Sequence, residues 1–175
     1  MKDLRQRLTD ILESQGTEAV SAFVTTGITD GKFSSADILF MAYWSEHTRL
    51  LEAILNSSID VNVTNGAGAT ALYYAASVGF SDREKRQHRV CELLIQKGAQ
   101  VNRTHKIVFK APPRVVVGET ALMAAAGTNA VSIIKLLLAN GADPSIKDKN
   151  GFDAYQHAVQ QGKTEAAIVL KPAKC

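Results

Sequence analysis

The sequence has few cysteines and no long apolar run, features on which disulfide-rich, zinc-binding and membrane proteins depend. It contains two cysteines, Cys91 and Cys175, which are too few for a disulfide framework and do not combine with histidines at a zinc-site spacing. No apolar run reaches the ~18 residues that span a bilayer, and the charged N-terminal stretch lacks the form of a signal peptide. These absences favour a soluble protein of a reducing, cytoplasmic compartment, without a membrane segment.

Neither sign of charge dominates the chain. Twenty lysines and arginines against seventeen aspartates and glutamates give a net charge of +3, which is small for a non-specific nucleic-acid binder. Aromatic residues make up only 6% of the 175 residues, but hydrophobic residues make up 46%. This length and apolar content predict one folded domain, residues 1–175, which we expect to be a monomer.

Groups that could support catalysis are sparse as well. The four histidines, His47, His88, His105 and His157, stand apart along the chain, and no hydrolase, metalloprotease or phosphate-binding motif is present. We expect them to be surface or loop residues. Cys91 opens an apolar helical face and is expected to be a small buried hydrophobe. The sequence therefore predicts no catalytic residue, no metal site and no cofactor.

What the chain does contain is an internal repeat. The segments 68–80, 118–130 and 151–163 share a glycine, a Thr or Asp two residues later, then an alanine and an apolar or aromatic residue. Each predicts a glycine turn followed by a short helix. The segments 91–102 and 134–145 share an apolar triplet followed by Gly-Ala, and each predicts a second helix that ends at the glycine.

The repeat has a regular period with one long interval. Its Thr or Asp position recurs at Asp37, Thr70, Thr120 and Asp153, which are 33, 50 and 33 residues apart. A side-chain oxygen at this position can accept from the first N–H groups of a helix, so we expect all four residues to be helix N-caps.

The long interval carries 17 extra residues, seven before Val90 and ten after it. We interpret the seven, which fall within 81–89, as an expanded loop between two helices. The ten fall in 104–116, where two β-branched runs flank a Pro-containing turn and predict a lengthened β-hairpin. Since this hairpin holds only the excess over the period, we expect the fold to survive its shortening.

A 33-residue unit with this pattern resembles the ankyrin repeat, whose form is roughly D-x-x-G-x-T-P-L-H-x-A-A followed by an apolar triplet and G-A-D. The resemblance covers about residues 30–170, although the T-P-L-H positions read DILF, TALY, TALM and DAYQ. It implies an all-α solenoid, an ankyrin repeat array of about four helix-turn-helix units. An N-terminal helical cap would precede the units, and an extended β-hairpin finger would join the second and third.

The N-terminal cap is expected from apolar residues at helical spacing on both sides of Gly16. The predicted divisions are 1–29 as the cap, 30–64 as a divergent repeat, 65–103 as a repeat with a helix–helix loop expansion, 104–116 as the extended hairpin, 117–147 as a repeat, and 148–175 as a C-terminal capping repeat and tail.

The two expansions make the middle of the chain basic. Residues 81–114 hold nine positive and three negative residues, or +6, whereas the rest of the chain sums to −3. An acidic surface on a protein partner would complement this segment. The candidate partner-binding residues here are Arg86, Arg89, Lys106, Phe109, Lys110 and Arg114.

The resemblance implies a second binding surface, because ankyrin arrays generally bind proteins through hairpin tips and the first-helix face of their concave side. Aromatic side chains at such positions are favoured, since they dominate interface hot spots. The candidates carried over to this sequence are Trp44, Tyr74, Ser77, Glu119, Lys149, Phe152 and His157.

We therefore predict a non-catalytic protein–protein interaction module that acts as an adaptor, inhibitor or neutraliser of a protein partner. Binding of nucleic acid through the basic segment 83–114 is the alternative, and a role as a bacterial effector or immunity-type protein is a further one. A gel shift at low salt separates nucleic-acid binding from protein binding.

Overall fold

The computed structural model describes residues 2–45, 47–77, 81–110 and 113–172, without the side chains of residues 2, 81–84, 109, 110, 113 and 114. The chain divides into two compact units, Met1–Asn65 and Gly66–Cys175, and each is described by itself. The elements are α1 (Lys2–Thr29), α2 (Ser35–Trp44), α3 (Thr48–Leu55), α4 (Ala71–Ala76), α5 (Ser81–Gln96), β1 (His105–Lys110), β2 (Pro113–Glu119), α6 (Ala121–Thr128), α7 (Val131–Ala139), α8 (Ala154–Gln160) and α9 (Thr164–Leu170).

The first unit consists of α1, α2 and α3. The helix α1 is interrupted at Gly16, whose φ of +84° and ψ of −173° are not helical. The predicted helical segments therefore lie on either side of this glycine. Apolar residues of both segments are buried, among them Leu8, Leu12, Val20 and Val24.

The N-cap of α2 differs from the prediction. Ser34, not Asp37, is the N-cap, because the Ser34 hydroxyl accepts from the N–H of Asp37 at 3.1 Å. The Asp37 carboxylate in turn accepts from the Ser34 hydroxyl at 2.6 Å. Asp37 therefore lies in the first helical turn, and the expectation that it caps the helix is wrong.

In the second unit the other three predicted caps are confirmed. Thr70, Thr120 and Asp153 each accept the backbone N–H three residues later, at the start of α4, α6 and α8. These bonds satisfy donors that a helix start otherwise leaves without a partner.

Helices of the second unit stack in two rows. The first helix of each pair contacts the next along α4, α6 and α8, and the second helices contact one another along α5, α7 and α9. Small residues such as Ala75 and Ala125 are buried in the first row, and Leu94 and Leu137 are buried in the second. Because the first helices carry small side chains at these positions, neighbouring helix pairs can approach closely, and leucines of the second helices fill the space between the pairs.

The seven extra residues between α4 and the end of α5 lie in a helix. α5 has 16 residues and α7 has nine, so the difference accounts for the whole excess. The interpretation of 81–89 as a loop expansion is therefore wrong. Arg, Lys, Glu and Gln in this segment are good helix formers, and they extend the second helix at its N-terminal end.

The ten extra residues after α5 fall in the region of two antiparallel strands. β1 pairs with β2 from His105 opposite Glu119 to Lys110 opposite Pro113, with an irregularity after His105. The pairing thus extends three residues beyond the predicted end at 116. Burial alternates along β1, because Ile107 is fully buried and Val108 is 47% exposed.

The inner side of this hairpin is part of the core. Ile107 and Val116 form a buried cluster with Ala69, Tyr73 and Ala124. Removing 104–116 would take Ile107 and Val116 out of the cluster, so we expect it to lower the free energy of unfolding. That the fold survives the shortening stays a prediction.

Cys91 is fully buried, as expected. Burial raises the pKa of its thiol to about 12, so the reactive thiolate is scarce at neutral pH. Cys175 lies outside the described residues. Among the residues that the structure describes, no helix is both long enough and apolar enough to cross a membrane.

Candidate partner-binding surface

A polar network joins the start of α4 to the end of the hairpin. The Thr70 hydroxyl lies 3.0 Å from Nε2 of His105, and Nδ1 of His105 lies 3.0 Å from the carbonyl oxygen of Glu119. The hydroxyl of Tyr73 donates to the Glu119 carboxylate at 2.6 Å. These bonds fix the position of Glu119, which is one of the predicted partner-binding residues.

His105 is 4% exposed, so the expectation of a surface or loop histidine is wrong for this residue. Burial lowers the pKa of His105, and the nearby Arg103 acts in the same direction, whereas the bond to the Glu119 carbonyl opposes them. The neutral imidazole that results can donate through one ring nitrogen and accept through the other. His105 therefore has a structural role at the base of the hairpin.

A tight loop positions a second acid. In the segment 148–152, Oδ1 of Asp148 accepts from the N–H groups of Asn150 at 2.8 Å and Phe152 at 2.9 Å. The backbone also closes, because the N–H of Asp148 donates to the Phe152 carbonyl at 2.9 Å. The loop thereby holds Phe152 next to the start of α8.

The other oxygen of this carboxylate faces a histidine. Oδ2 of Asp148 lies 3.1 Å from Nε2 of His157, which is on α8. Burial alone would raise the pKa of Asp148, but the hydrogen bonds from Phe152, Asn150 and His157 outweigh it and lower the pKa. The carboxylate is therefore ionised at neutral pH. His157 is only partly accessible, with 14% of its side chain exposed.

A cavity of about 350 Å³ opens beside α4, α6 and α8. Its lining comes from three successive helix pairs and the hairpin, and four of the lining residues are predicted site residues. They are Tyr74, Ser77, Glu119 and His157. Much of the remaining wall of this cavity is formed by Tyr73, Met123, Thr128 and Gln161.

A second cavity, of about 310 Å³, lies between the end of the hairpin and the loop before α8. It shares Glu119, His157 and Gln161 with the first cavity, and Lys149 and Phe152 line it as well. We call the residues that line the two cavities the cavity face. The structure thus brings six predicted residues together: Tyr74, Ser77, Glu119, Lys149, Phe152 and His157.

Among the other predicted residues, those whose side chains the structure describes do not line these cavities. Arg86 and Arg89 are on α5, where Arg89 donates to Glu92 at 3.3 Å, and Lys106 is an exposed residue of β1. The side chains of Phe109, Lys110 and Arg114 lie outside the described residues. Trp44, in the first unit, is 58% exposed, and its ring meets that of Tyr43 edge-on at 4.8 Å.

The cavity face includes residues that were not predicted from the sequence, and Asp148, Tyr73 and Gln161 are three examples. Asp148 had a signal, because 148–153 reads D-x-x-G-x-D and matches the start of the repeat pattern. Tyr73 ends the TALY segment and had no predicted role beyond its place in the repeat pattern. Gln161 follows α8 and had no signal, because its part in both cavities depends on how the helix pairs stack.

A family model described as ankyrin repeats in three copies matches residues 39–148 and 84–175. The chain belongs to the ankyrin-repeat family. The recognition from the repeat pattern is thereby confirmed, together with an all-α repeat fold. Ankyrin repeats are generally protein–protein interaction modules and generally not catalytic.

The similar proteins match this chain over a small part of their own length. Ankyrin repeat and SAM domain-containing protein 6 of Rattus norvegicus is 37% identical over 95 residues, which are 54% of this chain and 9% of that protein. The E3 ubiquitin-protein ligase Ufd4 of Drosophila melanogaster is 30% identical over 125 residues, covering 70% of this chain and 4% of the ligase. The E3 ubiquitin-protein ligase hecd-1 of Caenorhabditis elegans is 24% identical over 160 residues, covering 87% of this chain and 5% of that ligase. The chain therefore spans less than a tenth of these relatives, and the ligase matches carry no catalytic assignment.

Proposed function

We propose that this ankyrin protein binds a protein partner through the cavity face. The observation that carries the proposal is that two cavities meet at Glu119, His157 and Gln161 and are lined from three successive helix pairs. A concave surface of this kind can enclose a segment of a partner and exclude water from it.

The chemistry of the cavity face supports a protein ligand. Tyr74 and Phe152 offer large aromatic surfaces that lose little entropy on binding, and such residues dominate interface hot spots. Ser77 and Gln161 add neutral hydrogen-bonding groups at the rim. Aromatic anchors surrounded by polar groups are the usual anatomy of a protein interface.

The charges suggest where parts of the partner lie. Glu119 and Asp148 place carboxylates on the cavity face, which favours a basic or neutral segment there. An acidic surface of the partner would instead meet the basic middle of the chain, where Arg86, Arg89 and Lys106 are described. The partner we propose therefore carries both signs of charge.

A protein that binds a partner without catalysing a reaction can act as an adaptor, an inhibitor or a neutraliser. An array that covers a partner's surface can block a competitor from it, and one that holds two proteins can bring them together. We propose one of these roles, with the cavity face as the main contact in each.

Photo-crosslinking from Gln161 tests the proposal. This residue is exposed and lines both cavities, so a photoreactive amino acid in its place should capture a partner that occupies either one. Ile168, which is 69% exposed on α9 and lines neither cavity, is the matched control. In lysate of the native organism, we expect a discrete adduct from position 161 and none from position 168, measured by a mass shift on a gel. Equal labelling from both positions, or from neither, would argue against the cavity face.

A further inference from the structure

Three potential metal ligands converge where the two cavities meet. They are the carboxylates of Glu119 and Asp148 and the imidazole of His157, and one ligand atom of each lies within 4.8 Å of the other two. The side chains of His157 and Asp148 are 14% and 4% exposed, and Glu119 is partly buried. We propose that they bind a divalent transition-metal ion of the zinc type. The inference concerns the ion and this chain alone, so it does not depend on the proposed partner.

Neighbouring groups hold both carboxylates in place. The Tyr73 hydroxyl donates to Oε2 of Glu119 at 2.6 Å, and the loop N–H groups of Asn150 and Phe152 donate to Oδ1 of Asp148. Each carboxylate thus has one oxygen oriented by the protein and a second oxygen that can coordinate an ion. Outer-shell hydrogen bonds of this kind orient metal ligands in established sites.

The histidine already lies at a suitable distance. Nε2 of His157 is 3.1 Å from Oδ2 of Asp148, and two ligands on one tetrahedral zinc ion lie about 3.4 Å apart. The widest pair of ligand atoms would need to approach by up to about 1.4 Å, which side-chain rotation can supply. When Nε2 coordinates the metal ion, it loses its hydrogen bond to Asp148 and binds the ion through its lone pair. The remaining ring proton then resides on Nδ1.

The ligand types favour zinc over magnesium or calcium. Imidazole suits zinc and its neighbours in the first transition row, whereas magnesium and calcium take oxygen ligands. A divalent cation would also compensate the two carboxylates. Three protein ligands leave a tetrahedral ion one position, which water or a partner side chain can fill.

Isothermal titration of the tag-free chain with zinc chloride at neutral pH tests the proposal. The measurement uses a Cys175→Ser background, because a free thiol can bind zinc elsewhere. We expect one equivalent of zinc to bind, and His157→Ala and Glu119→Gln each to weaken binding at least about tenfold. Magnesium should give no heat above dilution.

The titration includes a matched control variant and a check that the Glu119→Gln variant folds. His88→Ala removes another histidine that lies 3.8 Å from a carboxylate, that of Glu92, and should leave zinc affinity unchanged. Glu119→Gln retains an acceptor for Tyr73, so it is expected to fold, and circular dichroism checks this. The proposal is overturned if the parent chain does not bind zinc, if Glu119→Gln binds as tightly as the parent, or if His88→Ala weakens binding to the same extent.

Discussion

Replacing Gly68 with alanine is expected to lower the free energy of unfolding by about 3 kcal/mol. Gly68 has a φ of +89°, a conformation that costs a residue with a Cβ roughly 1–2 kcal/mol. A Cβ here would also collide with the backbone carbonyl oxygen of Lys106 on β1. Crowding against a fixed backbone atom adds a penalty of roughly 1–3 kcal/mol.

The matched control is Gly98→Ala. Gly98 has nearly the same φ, +87°, but a Cβ there would meet no atom within 4 Å. Its substitution should therefore cost only the conformational penalty, roughly 1–2 kcal/mol. Urea unfolding followed by circular dichroism measures both variants. If Gly68→Ala is no more destabilising than Gly98→Ala, the close passage of β1 over the turn at Gly68 is not present in solution.

Replacing Ile107 with alanine is expected to cost about 3 kcal/mol of folding stability. Ile107 is fully buried against Ala69, Tyr73, Val116 and Ala124, so the truncation leaves a cavity as well as losing transfer free energy. The same unfolding experiment measures the loss.

The neighbouring residue provides the control for this substitution. Val108 is 47% exposed and faces the opposite side of β1, so Val108→Ala should cost less than about 1 kcal/mol. Similar losses for the two variants would contradict the register of the hairpin. A small loss for both would indicate that the hairpin is an appendage and not part of the core.

The repeat pattern was sufficient to predict those local features that depend on one residue type. Thr70, Thr120 and Asp153 were recognisable as caps because a short side-chain oxygen follows a turn glycine at a fixed spacing. In the first unit the spacing of 33 residues led to Asp37, but Ser34 has the same capping chemistry three residues earlier. Spacing alone could not choose between the two oxygens.

Counting residues located the two expansions but could not describe them. The seven residues before Val90 fit equally well in a loop or in a longer helix, and the helix formers among them extend α5. In the second expansion, strand register decides which residues point inward. That register places His105 and Ile107 in the interior and leaves Val108 outside.

The candidate site was partly predictable for a similar reason. Tyr74, Glu119 and His157 occupy variable positions of the repeat, so the resemblance indicated them individually. Their meeting around two cavities depends on the stacking of α4, α6 and α8, which no single segment encodes. The bond between Asp148 and His157 likewise joins a loop to the following helix.

The most direct test of partner binding through the cavity face is the dissociation constant of the protein captured from position 161. Tyr74→Ala removes an aromatic wall of the first cavity and should weaken binding at least about tenfold by isothermal titration. Val159→Ala changes an exposed residue, 53% accessible on α8, that lines neither cavity, and should bind like the parent chain. Unchanged affinity for Tyr74→Ala, with both variants folded, would contradict the assignment of the cavity face as the partner-binding surface.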